Sequence, residues 1–214
     1  MGSLFLIRHA TTEASASGRN LGQASDPPLA PAGEELAARL GRAIVGELRA
    51  LAHDELRLVT STARRCRETL DSAAAQLPDR VPAPVAEGAL LEIDYGAWDG
   101  LTADECAARD PELRAAWERN PYDTRCPGGE SGADVATRAF PVLTEVEAWL
   151  AGSRSRCALV VSHHHVIRLR VAAVLGLRMS DYRRRVSADP GGYAIITFGG
   201  QRPAVRRINA QPPA

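Results

Sequence analysis

The groups in this chain that could do chemistry are Arg8-His9, the run Arg64-Arg65-Cys66-Arg67, Glu92, and His163-His164-His165. A neutral imidazole can serve as nucleophile or base. An arginine offers a planar fork of donors that fits an oxyanion. A carboxyl group can give or take a proton. Most of these groups follow a short apolar run. Leu4-Phe5-Leu6-Ile7 stops in Arg8-His9, Leu56 to Thr60 leads to the arginine run, and Cys157 to Ser162 leads into the three histidines. Such runs, bounded by polar residues, predict buried strands. In open α/β sheets ligands bind at the carboxyl edge of the strands. If these strands run parallel, two histidines and several arginines converge there, with helix N-termini behind the last two runs. That is an anion site, and phosphate is its natural tenant.

The elements that must position these groups alternate. A loop spans residues 13 to 30. Pro31 then opens an amphipathic helix with Leu36, Leu40, Ile44, Leu48 and Leu51 at helical spacing. A second helix is expected from Ala63 to about Gln76, a proline-rich connector from Pro78 to Pro84, and a short strand at Val85-Ala86. Glu87 to Leu101 is an acidic, aromatic loop. Helices follow at Thr102 to Arg109, Pro111 to Arg119 and Ala133 to Leu150, the last after a loop from Asn120 to Gly132. A helix from Val166 to Leu175, strands at Tyr193 to Phe198 and Ala204 to Ile208, and an unstructured Pro- and Ala-containing tail complete the pattern. Strands alternating with helices predict an α/β fold: three layers, α/β/α, around a mostly parallel sheet. The chain reads as one domain over residues 1–214, with a helical and loop insertion at about 87–132 that would wall the sheet edge.

Composition bounds the function. With 26 basic and 26 acidic residues, net charge is zero, which gives no electrostatic case for nucleic acid or a membrane surface. Every basic residue is Arg, so chemistry that needs a Schiff-base or P-loop lysine is excluded. Cys66, Cys106, Cys126 and Cys157 lie far apart and read as free thiols. No apolar stretch reaches the ~20 residues needed to span a bilayer, and the N-terminus lacks the pattern of a signal peptide. The expectation is a cytoplasmic protein. Three consecutive histidines at a helix start point about 100° apart and cannot all ligate one ion, so no metal and no cofactor is expected.

Five motifs in order resemble the histidine phosphatase superfamily, which includes the phosphoglycerate mutases. Arg8-His9-Ala10 is similar to its Arg-His-Gly after the first strand. Arg65-Cys66-Arg67-Glu68-Thr69 is similar to Arg-Ala-x-Gln-Thr. Glu92 to Gly100 matches Glu-x-x-(Phe/Tyr)-Gly-x-Trp-x-Gly, Pro127 to Ser131 matches Pro-Gly-Gly-Glu-Ser, and His163 to Arg168 is similar to His-Gly-Gly-x-Ile-Arg. Ala10 stands where the family has Gly, and His164 and His165 replace two glycines, which would make the pocket rim bulkier and more basic.

The resemblance implies the phosphoglycerate mutase-like fold and a metal-independent phosphatase acting on a small phosphorylated metabolite. The small phosphatase branch, similar to α-ribazole phosphatase, is the closer likeness. His9 would be the phosphoryl-accepting nucleophile. Arg8, Arg65 and His163 would hold the phosphoryl oxygens, with Thr11, Ser61 and Ser131 as hydroxyl donors. Glu92 would be the proton donor, with Asp94 and Glu87 as rivals. Mutase-type phosphoryl transfer and a non-catalytic phospho-ligand module are the alternatives. A second copy of the chain is the one macromolecular partner entertained.

Overall fold

The computed structural model describes residues 1–77 and 81–213. In chain order its elements are β1 (Gly2–Arg8), α1 (Glu13–Ala16), α2 (Pro31–Leu51), β2 (Glu55–Ser61), α3 (Arg64–Ala74), β3 (Val85–Glu87), α4 (Ala103–Arg109) and α5 (Pro111–Arg119). They continue with α6 (Gly132–Ala151), β4 (Arg156–Ser162), α7 (His164–Val174), α8 (Tyr182–Arg185), β5 (Tyr193–Phe198) and β6 (Ala204–Ala210). The six strands form one sheet in the order β3-β2-β4-β1-β5-β6. β3, β2, β4 and β1 pair parallel, while β5 pairs antiparallel with both β1 and β6.

β1 shows why its run of apolar residues is unbroken. Leu4 and Leu6 face one layer, with α6 and α7, while Phe5 and Ile7 face the other, with α2 and α3. A strand covered on both faces has no polar side. All four side chains are fully buried. Each contributes roughly 1.5–3 kcal/mol relative to exposure.

Several expectations change in detail. The loop after β1 contains a helical turn, α1, because Thr12 and Ser15 form a reciprocal capping box. α7 begins at His164, so two of the three histidines sit in its first turn. β6 runs on to Ala210, into the expected tail. Residues 78–80 of the connector and Ala214 lie outside the described residues. Between α7 and β5, where the pattern gave no element, a 3-10 turn at Met179–Asp181 leads into α8. The four cysteines are free and buried. Among the described residues, no helix is long and apolar enough to cross a membrane.

Candidate active site

Strand register places the predicted groups together. Arg8 pairs with Ser162 across β1 and β4, and Thr60 with Val161 across β2 and β4. The three strands therefore end level. The His9 amide donates to the Ser162 carbonyl at 3.0 Å, which holds the first residue past β1 beside the end of β4.

His9 is 3% exposed, and its Nδ1 lies 2.8 Å from the Ala10 carbonyl. A carbonyl only accepts, so Nδ1 carries the proton and Nε2 keeps a bare lone pair. Burial, then the charges of Arg8 and Arg65, hold the His9 pKa well below its ordinary 6.5, so the ring is neutral. Ala10 does not adopt the left-handed conformation open to glycine. Its amide donates to Thr69 Oγ1 at 2.9 Å, which ties the turn to α3.

The ring of His163 packs edge-on against His9, with centroids 5.3 Å apart. Arg65 Nη2 lies 3.2 Å from His163 Nδ1, and Ser61 Oγ lies 2.9 Å from Nε2. An arginine only donates, so Nδ1 is the acceptor and Nε2–H donates to Ser61. Arg65 is 1% exposed, and it also reaches the Gly22 carbonyl at 3.0 Å and Asp26 Oδ1 at 3.4 Å. Its neighbour Arg64, about 100° further round the helix, is exposed and pairs with Glu68. Asp26, which sequence reasoning missed, accepts the Arg64 amide through both oxygens and so caps α3. No local pattern announces it, because the cap comes from a loop 38 residues before the helix it serves.

Glu92 is 4% exposed. Its Oε1 accepts the amides of Ile93 at 2.9 Å and His165 at 3.2 Å. Burial outweighs these donors and the charge of Arg8 and raises its pKa above the ordinary carboxylate value. The group is thereby biased toward the protonated form. Glu92, His9, Arg8, Tyr95, His164 and Arg183 line one cleft of about 190 Å³, closed by residues of the 15–21 segment. Neither rival carboxylate lines it: Asp94 turns back to accept the Gly96 amide, and Glu87 ends β3.

The Glu92 loop is clasped from outside the cleft. Arg138 donates to the carbonyls of Ala89, Leu91 and Glu92, each at 2.8 Å, and pairs with Glu130. Glu130 in turn accepts the Asp94 amide and donates its own to the Asp94 carbonyl. Gly96 and Gly129 let the two loops meet backbone to backbone; a Cβ on either would strike a carbonyl of the other loop.

The Thr11 carbonyl accepts the Ala30 amide. Two expectations are corrected. Ser131 is no ligand donor: it is the N-cap of α6, in a reciprocal capping box with Asp134. His164 and His165 do not make the rim more basic. His164 lines the cleft, but His165 is fully buried, its Nε2 2.9 Å from Tyr95 Oη and its Nδ1 2.6 Å from Tyr182 Oη. Burial, then nearby arginines, holds both pKa values well below 6.5. Arg183 and Tyr182 went unnoticed in the sequence, and Tyr95 entered only as the aromatic position of the motif from Glu92 to Gly100.

These buried neutral rings make stability depend on pH. His9, His163 and His165 have folded pKa values well below 6.5, so the unfolded chain binds more protons once pH falls below that value. Their contribution is therefore present above pH 6.5 and lost as pH falls toward the folded values. Glu92 acts with the opposite sign, one group against these three and His164, which is partly exposed in the cleft. Urea unfolding at about pH 5.5 should show roughly 2–4 kcal/mol less stability than at about pH 7.5, from about 1.4 kcal/mol per unit per group. Equal stability at the two pH values would contradict this account.

A sequence profile of the histidine phosphatase superfamily, branch 1, matches residues 4–211. The chain is 32% identical over 216 residues to a glucosyl-3-phosphoglycerate phosphatase of Mycolicibacterium vanbaalenii, covering 91% of each chain. It is 28% identical over 211 residues to phosphoserine phosphatase 1 of Hydrogenobacter thermophilus, covering 98% of this chain and 92% of that one. Among solved structures, a mycobacterial glucosyl-3-phosphoglycerate phosphatase in complex with VO3 superposes with a TM-score of 0.82 at 24% identity, over 99% of this chain and 100% of that one. The α-ribazole phosphatase of Shigella flexneri gives 0.79 at 22%, over 97% and 96%. At these identities the two structures speak for the fold.

Proposed function

Since this chain belongs to the histidine phosphatase superfamily, we propose that it hydrolyses small phosphate monoesters, without a metal, through a phosphohistidine on His9. The observation that carries this reading is the His9 ring, which is neutral, fixed by the Ala10 carbonyl and free at Nε2 in the cleft that Glu92 shares.

In the first half-reaction Nε2 forms a bond to phosphorus as the ester P–O bond breaks. Glu92 gives its proton to the departing alcohol oxygen. Arg8 and Arg65 offset the charge on the phosphoryl oxygens, a gain largest in the transition state. His163 takes a phosphoryl oxygen by exchanging its bond to Ser61. In the second half-reaction, Glu92 as carboxylate takes a proton from water, the water oxygen bonds to phosphorus, and the N–P electron pair returns to Nε2. The substrate class is consistent with the relatives, named for a phosphorylated sugar acid and for phosphoserine.

The decisive assay is release of inorganic phosphate from a panel of monoesters with chelator present. A mutase would isomerise a phosphoglycerate instead, and a binding module would do neither. The two adjacent arginines give a sharper check. Arg65→Ala should lower kcat/KM by about 10²–10³, as expected for a lost oxyanion donor at roughly 2.7–4 kcal/mol. Arg64→Ala, an exposed i,i+4 pair, should change it by less than about twofold. The reverse order would overturn the assignment of Arg65.

A further inference from the structure

The cleft holds more guanidinium than one phosphoryl group requires. Arg8 already stands beside His9, and Arg65 lies behind it against His163. Arg183 also lines the cleft, stacked on Trp117 with its Cζ 4.2 Å from the ring centroid. It gives Nη1 to Glu118 at 2.9 Å, and Glu118 is shared with Arg114. Nε of Arg183 is buried without a partner. The Nε and Nη2 edge, the side that meets an oxyanion through two parallel bonds, is thus left unused. Arg168 lies one helical turn beyond His164 on α7, on the same helix face, behind the lining of the cleft and close to Arg183 and Arg8. Its Nε is likewise buried without a partner, and it has no ion pair among the described residues. Burial and the charges of Arg183 and Arg8 push its pKa down to about 10. Arg168 and Arg183 have between them one carboxylate partner, Glu118, which Arg114 shares, so positive charge exceeds negative on this side of the cleft.

We propose that Arg183 and His164, with Arg168 behind them adding its charge, form a second anion subsite in this cleft, so that the preferred ester carries a second negatively charged group beyond its phosphoryl group. The term ester rests on the phosphatase reading; the subsite itself does not. A carboxylate and a second phosphate share the required chemistry, and both are matched by an arginine fork.

Calorimetric binding of three non-hydrolysable probes separates the cases: propylphosphonate, 3-phosphonopropionate and propane-1,3-bisphosphonate. One or both doubly anionic probes should bind about 10–100-fold tighter than propylphosphonate, the usual scale of a charge-assisted hydrogen-bond pair. The tighter of the two identifies the group as carboxylate or phosphate. Arg183→Gln and Arg168→Gln should each bring that ratio toward one, with melting temperature recorded alongside. Equal affinity of the three probes for the unaltered protein would overturn the subsite, even if a variant failed to fold. So would a ratio that survives in both folded variants. An intact ratio in a protein that releases phosphate from no ester would instead sink the phosphatase reading and leave the subsite standing.

Discussion

Replacing His9 by Ala is expected to abolish phosphate release, with kcat falling on the order of 10⁶, the scale seen when a covalent nucleophile is removed. The Ala10 carbonyl fixes the proton on Nδ1, so the lone pair on Nε2 is presented without any proton transfer beforehand. Burial and two arginines keep the ring from being protonated. Unaltered protein mixed briefly with substrate and quenched in alkali should carry an acid-labile phosphate on the peptide that contains His9. The His9→Ala protein should carry none. Label that persists in the variant, or full turnover without His9, would refute the covalent route.

The second large effect belongs to Glu92. Glu92→Gln keeps the shape and the two backbone donors but removes the proton. An alkyl alcohol leaves poorly without that proton, whereas a nitrophenolate leaves well. The ratio kcat/KM covers steps up to departure of the first product and excludes hydrolysis of the phosphohistidine. For an alkyl phosphate it should fall by about 10²–10⁴, the usual worth of general acid catalysis. For nitrophenyl phosphate the fall should be far smaller. Equal losses on both substrates would make Glu92 a positioning residue.

The same burial sets the expected pH limits of kcat/KM. Activity should decline at low pH as His9 gains a proton, and at high pH as Glu92 loses one. The carboxyl limit should lie above the ordinary carboxylate range.

How much of this was legible in the sequence depended on the range of the interaction. Strand ends were legible because apolar runs stop where burial stops, and Leu4 to Ile7 ends at Arg8 with no ambiguity. Motif register singles out Arg65 over Arg64, and the structure buries the one and exposes the other. Partners far apart in the chain were not legible. Tyr95 and Tyr182 meet His165 across separations of 70 and 17 residues, and no local pattern announces a histidine held between two phenols. Two glycines replaced by histidines looked like a change at the rim; one of the two became core. Ser131 misled for a different reason, since a hydroxyl at a helix start reads equally as ligand donor or cap. The Asp three residues on, which completes a capping box, was the available discriminator. Arg183 sits in the run Arg183-Arg184-Arg185, without apolar periodicity, where only the tertiary fold decides which cation meets the cleft.

The clasp around the Glu92 loop has a consequence for how variation in this protein would be interpreted. Gly96, Gly129, Glu130 and Arg138 do not line the cleft, yet they hold in place the backbone that carries the acid. A saturation library scored by turnover would flag these positions as strongly as the reacting groups, and a ranking of intolerance alone would mistake a hinge pin for a reagent. Scoring the same library twice, once for turnover and once for cellular abundance, would separate the two kinds of position. It would also show where selection for a new substrate has room to work: in the 15–21 segment and in α8, which border the cleft but lie outside the clasp.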